Sequence, residues 1–286
     1  MNKNIILGPG YPLRGGISHS NNILCNEFNI HDIKSEIMSF SLQYPNILFP
    51  GKTQYEDSAL IYKIKVSSVI NSIFPVNWLV NVYRILKYKP DYIIVRYWMP
   101  FMAPCLGTIS YFVRLFSNIK IIALIDNVDP HEKRIGDNIF NKYFFNSCHA
   151  YVTFSSGVLN DLQKYSGNKP SISIPLPIYN NFGNIIDKQN AKQQLRLDKS
   201  KKYLLFFGLV RKYKGLDLLI ESMSLIVKND PDIVLIVAGE FYEDIKSYEA
   251  KIHSLGLNEN IIIYNRFIEE NEVKYFFCAC DIVVQP

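Results

Sequence analysis

The segment FFGLVRKYKGLDLLIES, Phe206 to Ser222, sets two cations between two glycines. The apolar run Tyr203–Phe207 predicts a strand ending at Gly208, and Gly215 opens an amphipathic run that predicts a helix. Arg211 and Lys214 then occupy a strand-to-helix turn, where free backbone N–H groups and the helix dipole already favour an anion. Two cations in that setting suit a diphosphate, neutralising its charge electrostatically rather than by covalent chemistry. The plain alternative is a solvated basic loop, and the flanking glycines favour the ligand.

A second glycine turn, ILGPGYPLRGGISHSNNIL, lies about two hundred residues upstream. After Gly8 and Gly10 the third glycine of a dinucleotide fingerprint is missing, and Gly16-Ile17 stands where a P-loop needs Lys-Ser/Thr. An NAD site and a nucleotide triphosphatase are therefore not supported. What remains is a turn in which Gly15 and Gly16 open a helix near Ile17, with bare amides free to approach a diphosphate or a sugar hydroxyl. Two such turns suggest two Rossmann-like halves facing one phosphate-bearing ligand.

ALIDNVDPHEKR follows a buried-looking strand and crowds Asp126, Asp129, His131 and Glu132 into one loop. A histidine beside carboxylates can hold a sugar hydroxyl or carry a proton, so Asp126 and His131 are the catalytic candidates; a polar turn cornered by Pro130 is the alternative. RYWMPFMAP, Arg96 to Pro104, puts aromatic and Met side chains at another strand's carboxyl end. Core packing explains most of it, and the sharper reading is an acceptor pocket or lipid-facing patch with Tyr97 and Trp98. Arg14, beside Gly15, joins them as an acceptor-side candidate. Glu240, in VAGEFYED, follows a strand and a glycine and belongs to the ligand-facing rim. His19, His31, His149 and His253 default to structural roles.

The elements that position these residues alternate between β and α. Strands are predicted at 4–7, 36–40, 92–96, 120–125, 150–154, 171–174, 203–207, 233–237, 260–264 and 281–284. Helices are predicted at 17–28, 76–87, 106–116, 156–164, 216–228, 243–255 and 270–278. Several strands are apolar on both faces, as parallel strands covered by helices must be, which predicts an α/β fold with parallel sheets. The Pro- and Asn-rich stretch from Pro175 to Asn190 marks a boundary, giving domains 1–178 and 179–286. The second is short, about four βα units before Pro286, so the expectation is a fragment or truncated form.

Hydrophobic residues make up 48% and charged residues 20% of the 286, ordinary for a globular protein. The net charge of +5 is spread along the chain rather than striped, which argues against nucleic acid and allows weak attraction to anionic membranes or phosphorylated ligands. Five dispersed cysteines without a CxxC pair support neither a zinc site nor a disulfide framework. They fit a reducing cytosol as buried small hydrophobes. No signal-peptide core follows Met1, and the most apolar window, 92–113, is broken by Arg96, Pro100 and Pro104. A cytoplasmic protein, at most peripheral at the membrane, is expected.

With these residues in view, the chain resembles the GT-B glycosyltransferases of family 4, retaining enzymes that use nucleotide-sugar donors. The likeness rests on GPGYPLRGGISH, YPNILFPGKTQYE, RYWMPFMAPCLGT, DNVDPHEK, FFGLVRKYKGLDLLIES, VAGEFYED and NRFIEENEVKYFFCACDIVVQP, in that order. It implies two Rossmann-like parallel-sheet domains, the second incomplete, with the donor in the cleft between them. It puts Arg211 and Lys214 on the diphosphate, Gly15, Gly16 and Gly208 around it, and Arg266 and Phe267 beside the base. It implies front-face displacement with retention, the departing phosphate helping to deprotonate a lipid-linked or polysaccharide acceptor, with no metal and no other cofactor. Relatives often read HNVLPHE where this chain has DNVDPHE, so Asp126 stands in the place of a histidine and His131 carries more of the task. The glycine-rich loop and paired-glutamate element that hold the donor lie beyond the matched stretches. A non-catalytic remnant that binds a nucleotide or a partner protein is the competing reading.

Overall fold

The computed structural model describes residues 2–45, 49, 53–56, 59–129, 135–178 and 182–286. The chain divides into two compact units, Met1–Leu176 and Pro177–Pro286. The expected boundary at 178/179 adjoins residues 179–181, which lie outside the described residues.

The first unit is built on seven parallel strands: β1 (Lys3–Leu7), β2 (Lys34–Leu42), β3 (Lys65–Asn71), β4 (Tyr92–Tyr97), β5 (Lys120–Ile125), β6 (Ala150–Thr153) and β7 (Ser171–Ser173). They run in the order β3-β2-β1-β4-β5-β6-β7. Its helices are α1 (Gly16–Ile30), α2 (Pro75–Tyr88), α3 (Ala103–Phe116), α4 (Asp137–Ser147) and α5 (Ser156–Ser166). Strand alternation splits the core: Ile5 and Leu7 join Val82, Leu106 and Phe144 on one face, and Ile6 packs with Cys25 and Ile37 on the other. Both faces of β1 are thus buried, which is why KNIIL reads as a nearly continuous apolar run.

The second unit holds α6 (Lys188–Gln194), β8 (Lys202–Phe207), α7 (Leu216–Asn229), β9 (Ile233–Ala238), α8 (Ile245–Ser254), β10 (Ile261–Tyr264), α9 (Glu270–Ala279) and β11 (Ile282–Val283). The four strands are parallel, in the order β10-β9-β8-β11. Phe206 and Val237 pack on one side with Leu219 and Tyr248, while Leu205 and Ile236 face Phe276 and Ala191 on the other.

Three elements exceed the sequence reading. In β3, only Ile70 is fully buried, so the edge strand KVSSVIN lacks an apolar run. In α4, the buried Asn141 interrupts the helical apolar period; its amide donates to the Val128 carbonyl at 3.0 Å and its Oδ1 accepts from Tyr97 Oη at 2.5 Å. Helix α6 is a short segment capped by the Asp187 carboxylate, which accepts from the Gln189 and Asn190 N–H groups. The cysteines are free, Cys278 half-buried and the others buried; burial pushes the Cys105 and Cys148 thiols up to about 12.

Candidate functional site

The second unit concentrates its predicted residues at the carboxyl ends of β8 and β9. Gly208 ends β8 at φ +105°, and its N–H donates to the Ala238 carbonyl at 2.9 Å. Gly239 ends β9 at φ +153°; a Cβ there would stand 2.0 Å from the Gly208 carbonyl oxygen. Two backbones therefore touch where only hydrogen atoms fit between them. The loops then run on together, Val210 N–H donating to the Glu240 carbonyl at 2.9 Å and Tyr242 N–H to the Val210 carbonyl at 3.1 Å.

Above this paired turn stand the two cations. A one-turn 3-10 helix, Lys212–Lys214, leads into Gly215 at φ +69° and the start of α7. It brings Lys214 Nζ to 3.4 Å from where a Gly208 Cβ would stand. Among the described residues, the Lys214 ammonium meets no carboxylate and makes no hydrogen bond. Burial, with Arg211 adding like-charge repulsion, holds its pKa below the ordinary lysine value. The Arg211 guanidinium lies 5.0 Å from the centre of the Tyr242 ring. Two cations share one turn, one of them half-buried and without a counter-ion. Chemically, that environment suits an anion. Glu240, whose carbonyl accepts from Val210, is 2% exposed.

Arg266 and Phe267 follow β10, the strand next to β9. The Arg266 guanidinium is held bidentately by Glu272, at 2.6 and 2.7 Å, and its Nη1 also donates to the Phe267 carbonyl at 3.2 Å. Those charge-assisted bonds raise its pKa further and lower that of Glu272, which belongs to the capping box of α9. The cation expected beside a base is thus paired with a carboxylate of a helix cap.

In the first unit, the carboxyl ends of β4 and β5 are joined by a buried ion pair. Arg96, 2% exposed, donates through Nε and Nη2 to the two Asp126 carboxylate oxygens, each at 2.6 Å. Its Nη1 reaches Ser20 Oγ at 3.2 Å, and its guanidinium lies 4.7 Å from the Phe154 ring centre. A Cβ on Gly8 would fall 2.8 Å from Arg96 Cβ, so the β1–α1 turn closes directly onto this residue. Burial pushes the Asp126 carboxyl above the usual carboxylate range, and the bonds from Arg96 offset that only in part. Asp126 is therefore a fixed acceptor with both oxygens engaged. His131 lies outside the described residues.

Gly15 precedes α1 at φ +110°, and Gly16 begins the helix; a Cβ at either would meet nothing within 4 Å. Among the described residues, nothing crowds the opening of α1. Arg14 lies just before it, its N–H donating to the Gln54 carbonyl at 3.0 Å.

The acceptor-side aromatics call for a correction. Tyr97 is wholly buried, stacked on Phe144 with ring centres 4.2 Å apart and its hydroxyl spent on Asn141. Trp98 is 9% exposed, donates to Tyr44 Oη at 2.7 Å and meets Phe40 edge-on. Strand and turn direct these rings into the core, leaving Tyr97 no face for an acceptor or a lipid.

Sequence reasoning missed Arg96 as a structural centre and Gly239 as the tightest backbone contact. Both carried a signal: a lone arginine ending the apolar strand YIIVRY, and a glycine directly after IVLIVA.

Residues 187–286 match the family model of glycosyl transferases group 1. A stretch of 107 residues is 35% identical to the lipopolysaccharide core biosynthesis mannosyltransferase LpsB of Rhizobium meliloti, covering 35% of this chain and 29% of that protein. A stretch of 103 residues is 22% identical to spore coat protein SA of Bacillus subtilis, covering 34% of this chain and 27% of that one. The matches thus span under a third of either relative's length. In fold, the chain is similar to HepE of Anabaena, solved with UDP and glucose (TM-score 0.74, 14% identity, 99% of this chain and 73% of that one). It is also similar to sucrose-phosphate synthase of Thermosynechococcus elongatus (TM-score 0.72, 13% identity, 100% and 75%). Residues 187–286 thus match the model of glycosyl transferases group 1, in a chain whose two parallel sheets have the fold of the GT-B glycosyltransferases.

Proposed function

We propose that this protein is a glycosyltransferase moving a sugar from a nucleotide-sugar donor to a lipid-linked or polysaccharide acceptor in cell-surface glycan synthesis. The observation that carries this reading is Lys214, half-buried and, among the described residues, without a counter-ion, beside Arg211 in the stretch that matches the group 1 model. The two cations neutralise the departing nucleoside diphosphate, and the side-chain-free turn at Gly208 lets it approach closely. Glu240, Arg266 and Phe267 complete the donor-side set. His131 serves the transferred sugar and Asp126 is held in place by Arg96. Arg14 remains on the acceptor side. The transfer proceeds with retention, without a metal or other cofactor, at the cytoplasmic face of a membrane that the protein touches peripherally. HepE was solved with UDP and LpsB is named a mannosyltransferase, which supports a nucleotide-sugar donor.

Titration calorimetry with UDP and ADP tests this. Lys214→Ala and Arg211→Ala are each expected to weaken nucleoside diphosphate binding by about 1–3 kcal/mol, through lost charge-assisted hydrogen bonds. Unchanged affinity in both variants removes the assignment.

A further inference from the structure

The cationic turn that ends on Gly215 has little of its own to hold it. Its 3-10 helix, Lys212–Lys214, buries no residue, and Arg211, Lys212 and Tyr213 are exposed. Two backbone bonds close it: Lys214 N–H donates to the Arg211 carbonyl at 2.9 Å and Gly215 N–H to the Lys212 carbonyl at 3.1 Å. The residue that precedes it, Arg211, gives it no side-chain cap. Arg211 and Lys214 are like charges in one short turn, and like charges repel.

The missing support comes from the loop after β9. Lys212 N–H donates to Glu243 Oε1 at 2.5 Å, across thirty-one positions, and Tyr248 Oη donates to Glu243 Oε2 at 2.9 Å. Tyr248 is buried on α8, meets Phe241 edge-on, and shares a core with Val210 and Leu216, which flank the turn. Tyr242, beside Glu243, lies against the Arg211 guanidinium. Glu243 thus ties an exposed turn to a hydroxyl rooted in the core. Among the described residues it makes no ion pair, so its carboxylate fixes geometry and neutralises neither cation. We propose that Glu243 is a positioning residue: it locks the turn so that Arg211 and Lys214 stand side by side before an anion arrives, ordered on folding rather than on binding. The inference rests on the diphosphate reading above and adds to it a residue that touches no phosphate. With both oxygens engaged, Glu243 is a brace and not a stand-in for the ligand.

The test pairs hydrogen–deuterium exchange of residues 209–216 in the ligand-free full chain with UDP titration calorimetry. Glu243→Ala should speed exchange across the turn and weaken UDP binding, each about tenfold, through loss of charge-assisted bonds. Glu243→Gln keeps an acceptor for Lys212 N–H, and its amide can donate to the Tyr248 hydroxyl, so it should restore both readouts to within about threefold of wild type. Tyr248→Phe, which frees only the second oxygen, should fall between the two. Lys214→Ala should cost less UDP affinity on a Glu243→Ala background than alone, because a loosened turn no longer holds that cation in place. If circular dichroism shows Glu243→Ala unfolded, Tyr248→Phe against wild type decides in the same direction. Wild-type exchange in Glu243→Ala, equal or tighter UDP binding by it, or a Gln variant no better than Ala overturns the inference. If the wild-type chain binds no UDP, the diphosphate reading fails, and the exchange rates alone decide whether Glu243 holds the turn.

Discussion

Arg96→Met is expected to cost the first unit about 3–5 kcal/mol, because it strands the Asp126 carboxylate in a buried site. Arg96 is 2% exposed and supplies both bonds to the carboxylate, while the Asp126 side chain keeps 18% exposure, which sets the loss at the lower end of that range. Trp78 and Trp98 lie in the first unit, so urea unfolding followed by tryptophan fluorescence reports on that unit alone. Arg96→Met/Asp126→Leu should recover most of the loss, since removing both charges leaves no unpaired ion. The sign of the pH effect follows from the raised Asp126 pKa. A carboxyl with a folded pKa above its unfolded one binds more protons in the folded state. Its stabilising contribution is therefore lost as pH rises through that interval and regained on acidification. Without Arg96 the rise is greater, so the deficit of Arg96→Met should shrink as pH falls from neutral towards the carboxylate range. A deficit below about 1 kcal/mol, or one indifferent to pH, would show that the pair does not hold this end of the sheet.

Gly239→Ala should disrupt the second unit, with a cost on the order of 4 kcal/mol or more. Its Cβ would lie 2.0 Å from the Gly208 carbonyl oxygen, and the obstacle is backbone rather than a side chain that can swing away. Either β9 or the Gly208 turn must shift, and the perch of Lys214 shifts with it. Gly16→Ala is the control: its Cβ meets nothing within 4 Å at the start of α1, and alanine favours a helix, so its stability should change by less than about 1 kcal/mol. Far-UV circular dichroism and limited proteolysis of the second unit would show the difference. A Gly239→Ala protein with native protection and native UDP affinity would mean that the two strands separate without loss.

Much of the scaffold was legible because its physics is local. The strands KIIALI and IVLIVA are apolar on both faces, and the glycines after Phe207 and Ala238 break them where the loops begin. Helix α7 announces itself by its period and by Gly215. Edge strand β3 and helix α4 were hidden, since an edge exposes one side to water and Asn141 is a buried polar residue whose partners come from Tyr97 and Val128.

Residue types and spacing by themselves determined the parallel α/β architecture and the clustering of Arg211 and Lys214 at a glycine-flanked helix start, because β-alternation, helical period and glycine turns act over a few residues. Only the tertiary structure decided which charged groups are already paired. It joined Arg96 to Asp126 across thirty positions and tied Arg266 to Glu272, while leaving Lys214 half-buried and, among the described residues, without a counter-ion. It also turned Tyr97 inward. Pairing and burial depend on which strands become neighbours, and spacing along the chain does not encode that.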